Sequence, residues 1–155
     1  MESIKQVIII RKDLGMRKGK MIAQGAHASM KVFFDKGSTG FTWRTGDTGL
    51  EFQTEDDLVC PFEVPNHGDP ALLINLTTEM KAWFEGIFTK IVVGCNSEEE
   101  LLTLRDKAQE AHLPYALIQD VGLTEFGGVP TFTALAIGPD TAERIDPITG
   151  HLTLL

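Results

Sequence analysis

Cysteine is scarce in this 155-residue chain, and zinc-binding motifs are missing. The two cysteines, Cys60 and Cys95, lie far apart and form no Cys-x-x-Cys pair. We therefore expect reduced thiols in a cytoplasmic protein, without a disulfide. The four histidines have no cysteine or second histidine close by in sequence, which argues against a structural zinc site. Disulfide-stabilised and zinc-stabilised classes of protein are thus disfavoured.

Long apolar runs are also lacking. No uninterrupted apolar run exceeds four residues, as in Val7 to Ile10, whereas a membrane-spanning helix needs about 18. The N-terminal residues lack the basic head and apolar stretch of a signal peptide, so we expect no secretion and no membrane association. The content of 43% apolar and 23% charged residues is typical of a single globular domain, here residues 1–155.

The net charge of −8 is distributed unevenly along the chain. Residues 1–36 contain eight Lys or Arg and three Asp or Glu, so this segment has a net charge of +5 and the remainder a net charge of −13. A basic face on an acidic body would direct a polyanion such as RNA to one place. The alternative is a solvent-exposed helix face that happens to be rich in lysine.

Alternating strand and helix patterns predict an α/β fold of three layers, α/β/α, around a mixed, mostly parallel four-stranded sheet. A β-branched run, an alanine-rich segment with helical spacing and a capping box beginning at Ser97 carry this prediction. The predicted strands span residues 5–11, 88–95, 115–119 and 131–137, and the predicted helices begin near Lys20, Thr78, Ser97 and Asp140.

Residues 35–76 interrupt this pattern and are expected to form an inserted hairpin or flap. Two alternating segments, 41–44 and 50–53, flank a Gly-Asp-Thr-Gly turn. The insert contains two basic and eight acidic residues, so its net charge is −6 and it would repel phosphate. Its aromatic side chains could form a lid, contact an RNA stem or form an interface, and we favour packing or self-association as a homodimer. These aromatic residues are Phe41, Trp43, Phe52 and Phe62.

Polar side chains recur on one face of the first helix. Lys20, Gln24, His27 and Lys31 are spaced i, i+4, i+7 and i+11, which places them on the same side. A lysine beside the exposed N–H groups of a helix start suits a phosphate or a developing oxyanion. Gln24 can donate and accept hydrogen bonds, and His27 could accept a proton or hold a carboxylate. Taken alone, a single histidine on a helix such as His27 is more often an ordinary core or surface residue.

A second group of polar residues follows the third predicted strand. Asp120 lies where α/β proteins place site residues, and Gly122 allows a sharp turn that brings Asp120 and Thr124 to the same side. Thr131 and Thr133 share one face of the last strand. Asp120 could instead cap the loop in an Asx-turn, and threonine is also a good strand former.

Four sequence blocks occur together in an order that resembles the type II peptidyl-tRNA hydrolase family. The resemblance covers residues 4–34 and 80–155 and implies a small α/β/α domain, with 35–76 as an atypical insert. The turn has Val121 and Leu123 where the family commonly has alanine and arginine. The blocks are residues 19–28, Gln119 to Thr124, Thr131 to Pro139, and Thr149-Gly150-His151-Leu152.

The resemblance implies hydrolysis of the ester between a peptidyl or N-blocked aminoacyl group and tRNA, without a metal or other cofactor. The alternative is a non-catalytic RNA-binding or adaptor module on the same fold. A small-molecule esterase has little support, because the sequence has no Gly-x-Ser-x-Gly elbow. The expected catalytic residues are Lys20, His27, Asp120 and Thr124, and the expected substrate-binding residues are Arg17, Lys18, Gln24, Thr131 and Thr133.

Overall fold

The computed structural model describes residues 3–45, 49–54 and 69–155. Contacts divide the chain into two compact units, one formed by residues 1–35 and 76–155 and the other by Lys36–Asn75. In chain order the elements are β1 Ile4–Arg11, α1 Lys18–Phe34, β2 Gly37–Thr45, β3 Gly49–Thr54, β4 Asp69–Ile74, α2 Thr78–Glu85, β5 Lys90–Cys95, α3 Glu98–Glu110, β6 Tyr115–Asp120, β7 Thr131–Thr141, α4 Ala142–Thr149 and β8 Thr153–Leu154.

The larger unit is built on a five-stranded sheet with the order β6-β7-β1-β5-β8. The α/β class is confirmed, but the expectation of four mostly parallel strands is wrong. Only β1 and β5 pair in parallel, while β1–β7, β6–β7 and β5–β8 are antiparallel. The loop of residues 121–130 returns the chain directly beside β6, and so short a connection can join only antiparallel neighbours. The fifth strand, β8, has two residues, too few for a sequence pattern.

Helices cover both faces of the sheet at strand β1. Its alternating side chains are therefore buried on both sides. Val7 and Ile9 belong to the core cluster that includes Leu101 and Leu104 of α3 and Ile145 of α4. Ile8 and Ile10 face the other side, where α1 lies against the sheet. Helix α2 packs on that same side through stacking of Phe33 on Trp83, with ring centroids 5.7 Å apart. These contacts give the expected three layers.

Helix α3 begins where the capping signal places it. The Ser97 hydroxyl accepts a hydrogen bond from the Glu100 backbone N–H at 3.0 Å. The Glu100 carboxylate in turn accepts a hydrogen bond from the Asn96 N–H at 2.7 Å, one residue before the position of an ideal capping box.

Cys95, just before this helix, is a free and buried thiol. Burial raises its pKa to about 11, so the thiol is unreactive at neutral pH. Cys60 lies outside the described residues.

The smaller unit is a three-stranded antiparallel sheet with the order β3-β2-β4. Strands β2 and β3 pair over the residues for which the sequence predicts a hairpin, with Phe41 opposite Gln53 in the register. Strand β4 pairs with the other edge of β2. Phe62 and the side chains of the other insert aromatics fall outside the described part of the chain. Within that part, no helix combines the length and apolarity needed to cross a bilayer.

Candidate active site

The first turns of α1 lie over the carboxyl end of β6 and the start of β7. Gly25 brings the helix close to the sheet, since a Cβ there would sit 3.6 Å from Ile8 and 3.8 Å from Ile10. A small residue at this point lets the preceding polar side chains, Lys20 and Gln24, reach the sheet edge. The residues that meet there come from segments separated by about a hundred positions in sequence.

Lys20 and Asp120 form the centre of this cluster. The Lys20 Nζ lies 2.6 Å from the Asp120 Oδ2, and these side chains are 14% and 13% exposed. The Lys20 ammonium also donates to the Thr124 Oγ1 at 3.1 Å. The Gln24 Nε2 donates to the same Asp120 oxygen at 3.0 Å. We call Lys20, Gln24, Asp120 and Thr124 the Lys20–Asp120 cluster.

Gln24 is held in turn from the last strand. The Thr133 hydroxyl donates to the Gln24 Oε1 at 2.5 Å. Because that oxygen accepts from Thr133, the amide nitrogen of Gln24 must face Asp120 as a donor. Gln24 and Thr133 are 2% and 0% exposed, so both act beneath the surface. This chain of hydrogen bonds fixes the orientation of the Asp120 carboxylate.

Asp120 makes the Asx-type turn that the sequence allows, and it pairs with Lys20 as well. The Gly122 N–H donates to the Asp120 Oδ1 at 2.8 Å. Gly122 has a positive φ of 83°, and a Cβ there would collide with the backbone of Val129. Glycine is therefore required at position 122, and the loop closes through a hydrogen bond from the Gly128 N–H to the Gly122 carbonyl.

The surroundings of Asp120 lower its pKa below the ordinary value of 3.8. The main cause is the hydrogen bond from Lys20, and the Gly122 N–H and Gln24 act in the same direction, while burial opposes them. The carboxylate is thus fully ionised at neutral pH. A base of such low pKa removes a proton weakly, so this geometry favours orientation of a water molecule by Asp120.

The other expected site residues lie around this cluster. His27 is exposed and makes no hydrogen bond to Lys20 or Asp120 within the described structure. Lys31 instead pairs with Asp35 at 2.6 Å. Thr131 lies opposite Asp120 in the β6–β7 register, and its hydroxyl donates to the Val129 carbonyl. Arg17 and Lys18, two of the expected substrate-binding residues, are exposed at the start of α1.

Two residues that the sequence analysis did not select also contact this region. The Phe126 ring centroid lies 5.6 Å from the Lys20 Nζ. Glu125 accepts a hydrogen bond from the Arg17 Nε at 2.7 Å. Neither position has a motif signal, although the two come next in sequence after Thr124.

Across the described ranges, no group of three or more His, Cys, Asp or Glu side chains is placed to hold a metal ion.

Comparison with known proteins gives consistent matches over nearly the whole chain. The family model described as "Peptidyl-tRNA hydrolase PTH2" matches residues 4–155. A peptidyl-tRNA hydrolase of Methanocaldococcus jannaschii is 36% identical over 152 residues, covering 98% of this chain and 100% of the relative. That of Haloquadratum walsbyi is 34% identical over 151 residues, covering 97% and 99%. That of Thermococcus onnurineus is 35% identical over 153 residues, covering 97% of each chain.

Proposed function

Because this chain belongs to the peptidyl-tRNA hydrolase PTH2 family, we propose that the Lys20–Asp120 cluster is the active centre for its hydrolysis of peptidyl-tRNA. The bond cleaved is the ester between a peptidyl or N-blocked aminoacyl group and the terminal ribose. The observation that carries this assignment is the 2.6 Å contact between Lys20 and Asp120, made by a lysine at a helix start and a loop carboxylate. Family membership does not favour the alternative of a non-catalytic RNA-binding or adaptor module.

Counting hydrogen bonds indicates how the cluster would bind the reactants. An ammonium has three N–H donors, and within the described residues Lys20 uses two of them, on Asp120 and Thr124. The third is free to stabilise the oxyanion that forms on the ester carbonyl. An ionised carboxylate accepts about four hydrogen bonds, and Asp120 accepts three from the part of the chain that the structure describes. The remaining acceptor site, on Oδ1, would hold the attacking water.

The reaction then needs no covalent intermediate. The bound water adds to the carbonyl carbon, and the bond from that carbon to the ribose oxygen breaks. One water proton ends on the ribose oxygen, and the released peptide carboxyl group ionises. Holding water and ester together replaces a bimolecular encounter with a positioned one, which suits a substrate already more reactive than an amide. Asp120 positions the water, and Lys20 stabilises the charge on the carbonyl oxygen.

Two roles differ from the sequence expectation. Gln24 and Thr133 were expected to bind substrate, but with 2% and 0% exposure they are better placed to orient Asp120. The same expectation had His27 and Thr124 holding the Lys20–Asp120 pair; among the described residues Thr124 contacts Lys20, and Gln24 contacts Asp120 in place of His27. We assign His27, which is exposed on the same helix, to contact with the bound substrate, and Thr131 to the edge of the same site.

The test of this function is release of free tRNA from N-acetyl-aminoacyl-tRNA at enzyme concentrations far below that of the substrate. Multiple turnovers per enzyme molecule are expected, whereas binding without turnover would select the adaptor alternative.

We place the reaction in the cytoplasm, because its substrate is a product of translation.

Charge reversal at Lys18 is expected to weaken tRNA binding without unfolding the protein. Lys18 is exposed in the first turn of α1, and that turn contains no acidic residue. Each phosphate contact releases condensed counterions, so losing one should make the slope of log Kd against log salt shallower by about 0.7 to 0.9. Fluorescence anisotropy with labelled tRNA from low to high salt measures this change. Lys107→Glu, an equal charge reversal on α3, is the matched control, and an equal loss in both variants would contradict a localised docking face.

We also propose that the insert serves packing or self-association rather than tRNA binding. It forms a compact unit of its own, Lys36–Asn75, and its charge is −6 over residues 35–76. Replacing residues 38–70 with a short Gly/Ser linker should leave the Kd for tRNA within about twofold, while changing the oligomeric state or the Tm. Light scattering after size exclusion, together with anisotropy, measures both properties. A large loss of tRNA affinity in a folded deletion variant would overturn this assignment.

A further inference from the structure

Arg17 and Glu125 connect the start of α1 to the loop that follows Asp120. The Arg17 Nε donates to the Glu125 Oε1 at 2.7 Å. The two partners differ in their surroundings, since the Arg17 side chain is 81% exposed and that of Glu125 is 13% exposed. The Glu125 carboxylate is therefore mostly enclosed by protein, and it holds one edge of a guanidinium that is otherwise exposed to solvent.

Glu125 is fixed by its neighbours on both sides. Thr124 accepts a hydrogen bond from Lys20, and the Phe126 ring lies against the same ammonium. A group that binds Glu125 therefore has a fixed position relative to the Lys20–Asp120 cluster. Arg17 precedes Lys20 by three residues, a distance of about 4.5 Å along the helix axis.

The bond to Glu125 uses only one of the five N–H donors of Arg17. Within the described residues, the terminal nitrogens of this guanidinium, Nη1 and Nη2, make no hydrogen bond to protein. These two nitrogens form the end of the guanidinium that binds phosphate through two parallel hydrogen bonds. Because the side chain is 81% exposed, that end faces solvent.

We propose that Glu125 is a positioning residue that holds the Arg17 guanidinium so that its terminal nitrogens bind a phosphate of the tRNA acceptor end. This inference rests on the proposed function and adds the means by which the phosphate is placed relative to the ester. Fixing a long side chain before binding removes an entropic cost that binding would otherwise carry. Because the Arg17 side chain is 81% exposed, its ion pair with Glu125 is expected to contribute little to folding stability.

Comparing Glu125→Ala with Glu125→Gln tests the proposal. Glutamine keeps an oxygen that can accept from the Arg17 Nε, whereas alanine removes the acceptor. We expect Glu125→Ala to raise KM for N-acetyl-aminoacyl-tRNA about three- to tenfold with kcat within about twofold of wild type. Glu125→Gln should keep KM at or below the wild-type value, since it also removes a negative charge near the phosphate. Asp106→Ala, which breaks the exposed Arg105–Asp106 pair on α3, is the matched control and should change neither parameter.

A double variant shows whether Glu125 acts through Arg17. Arg17→Ala should raise KM at least as much as Glu125→Ala, and adding Glu125→Ala to it should have no further effect. Equal KM values for Glu125→Ala and wild type would overturn the proposal. A lower KM in both Glu125 variants would also overturn it, because Glu125 would then compete with phosphate for Arg17. A fall in kcat without a change in KM would overturn it as well, because Glu125 would then only stabilise the loop conformation.

Failure of the proposed function gives a separate result. In that case wild-type protein releases no tRNA, and the same variants are compared by anisotropy with deacylated tRNA. A higher Kd for Glu125→Ala but not for Glu125→Gln would still support the positioning role, and equal values would overturn it.

Discussion

Asp120→Asn is expected to lower kcat for peptidyl-tRNA hydrolysis about 10²- to 10⁴-fold, with little change in KM. Among the described residues, the three groups that hydrogen-bond to the carboxylate are all donors: Lys20, Gln24 and the Gly122 N–H. An asparagine would direct its own NH₂ group at one of these donors and would lose the negative charge that holds Lys20. The acceptor site for water on Oδ1 would be lost or misdirected as well. Initial rates of tRNA release across a range of substrate concentrations separate kcat from KM.

Asp13→Asn is the matched control for this variant. Asp13 is also an aspartate in an ion pair, 2.6 Å from the Arg11 Nη2, and its pKa is lowered chiefly by that hydrogen bond. It lies outside the Lys20–Asp120 cluster, so its substitution should affect the Tm and leave kcat unchanged. Wild-type turnover by Asp120→Asn would remove Asp120 from the reaction.

Much of the fold follows from local sequence signals. Strand β1 was predictable from its β-branched run, because a strand buried on both faces needs successive apolar side chains, here Val7 to Ile10. Helix α3 was predictable from Ser97 and Glu100, whose capping bonds depend on neighbouring residues alone. The arrangement of the strands was not predictable in this way, because the short 121–130 loop requires antiparallel pairing only once β6 and β7 are known to be neighbours. That loop closes through Gly122 and Gly128, and its glycines indicate a turn without specifying its geometry.

The centre of the candidate site was predictable for a similar reason. Helical spacing placed Lys20 and Gln24 on one face, and the end of a strand placed Asp120, so two local rules selected residues that meet in the structure. The same helical spacing also selected His27, but the direction of a side chain at the edge of a face depends on what packs beside it. The Arg17–Glu125 pair joins positions 108 apart and has no local signal.

Lys20→Met is expected to lower kcat about 10²- to 10³-fold, by analogy with the loss of one oxyanion donor. Methionine keeps the length of the side chain and removes the ammonium that would stabilise the developing charge. Lys5→Met is the matched control, because Lys5 is also a largely buried lysine, 12% exposed, in an ion pair with Asp146. Kinetics of tRNA release should separate the two variants by at least tenfold, and equal kcat values would exclude Lys20 from the chemistry.

The same variant tests the electrostatic coupling independently of activity. The Lys20 hydrogen bond is the largest cause of the lowered Asp120 pKa, so Lys20→Met should raise that pKa, as measured by carboxyl ¹³C chemical shifts in a pH titration. A lowered carboxyl pKa stabilises the fold above the ordinary value of 3.8, and this contribution is lost as the pH falls through the lowered pKa. Wild type should therefore exceed Lys20→Met in unfolding free energy at neutral pH, by about 1 to 3 kcal/mol, and the difference should narrow below pH 3.8. A constant difference across this range would show that the two residues are not coupled.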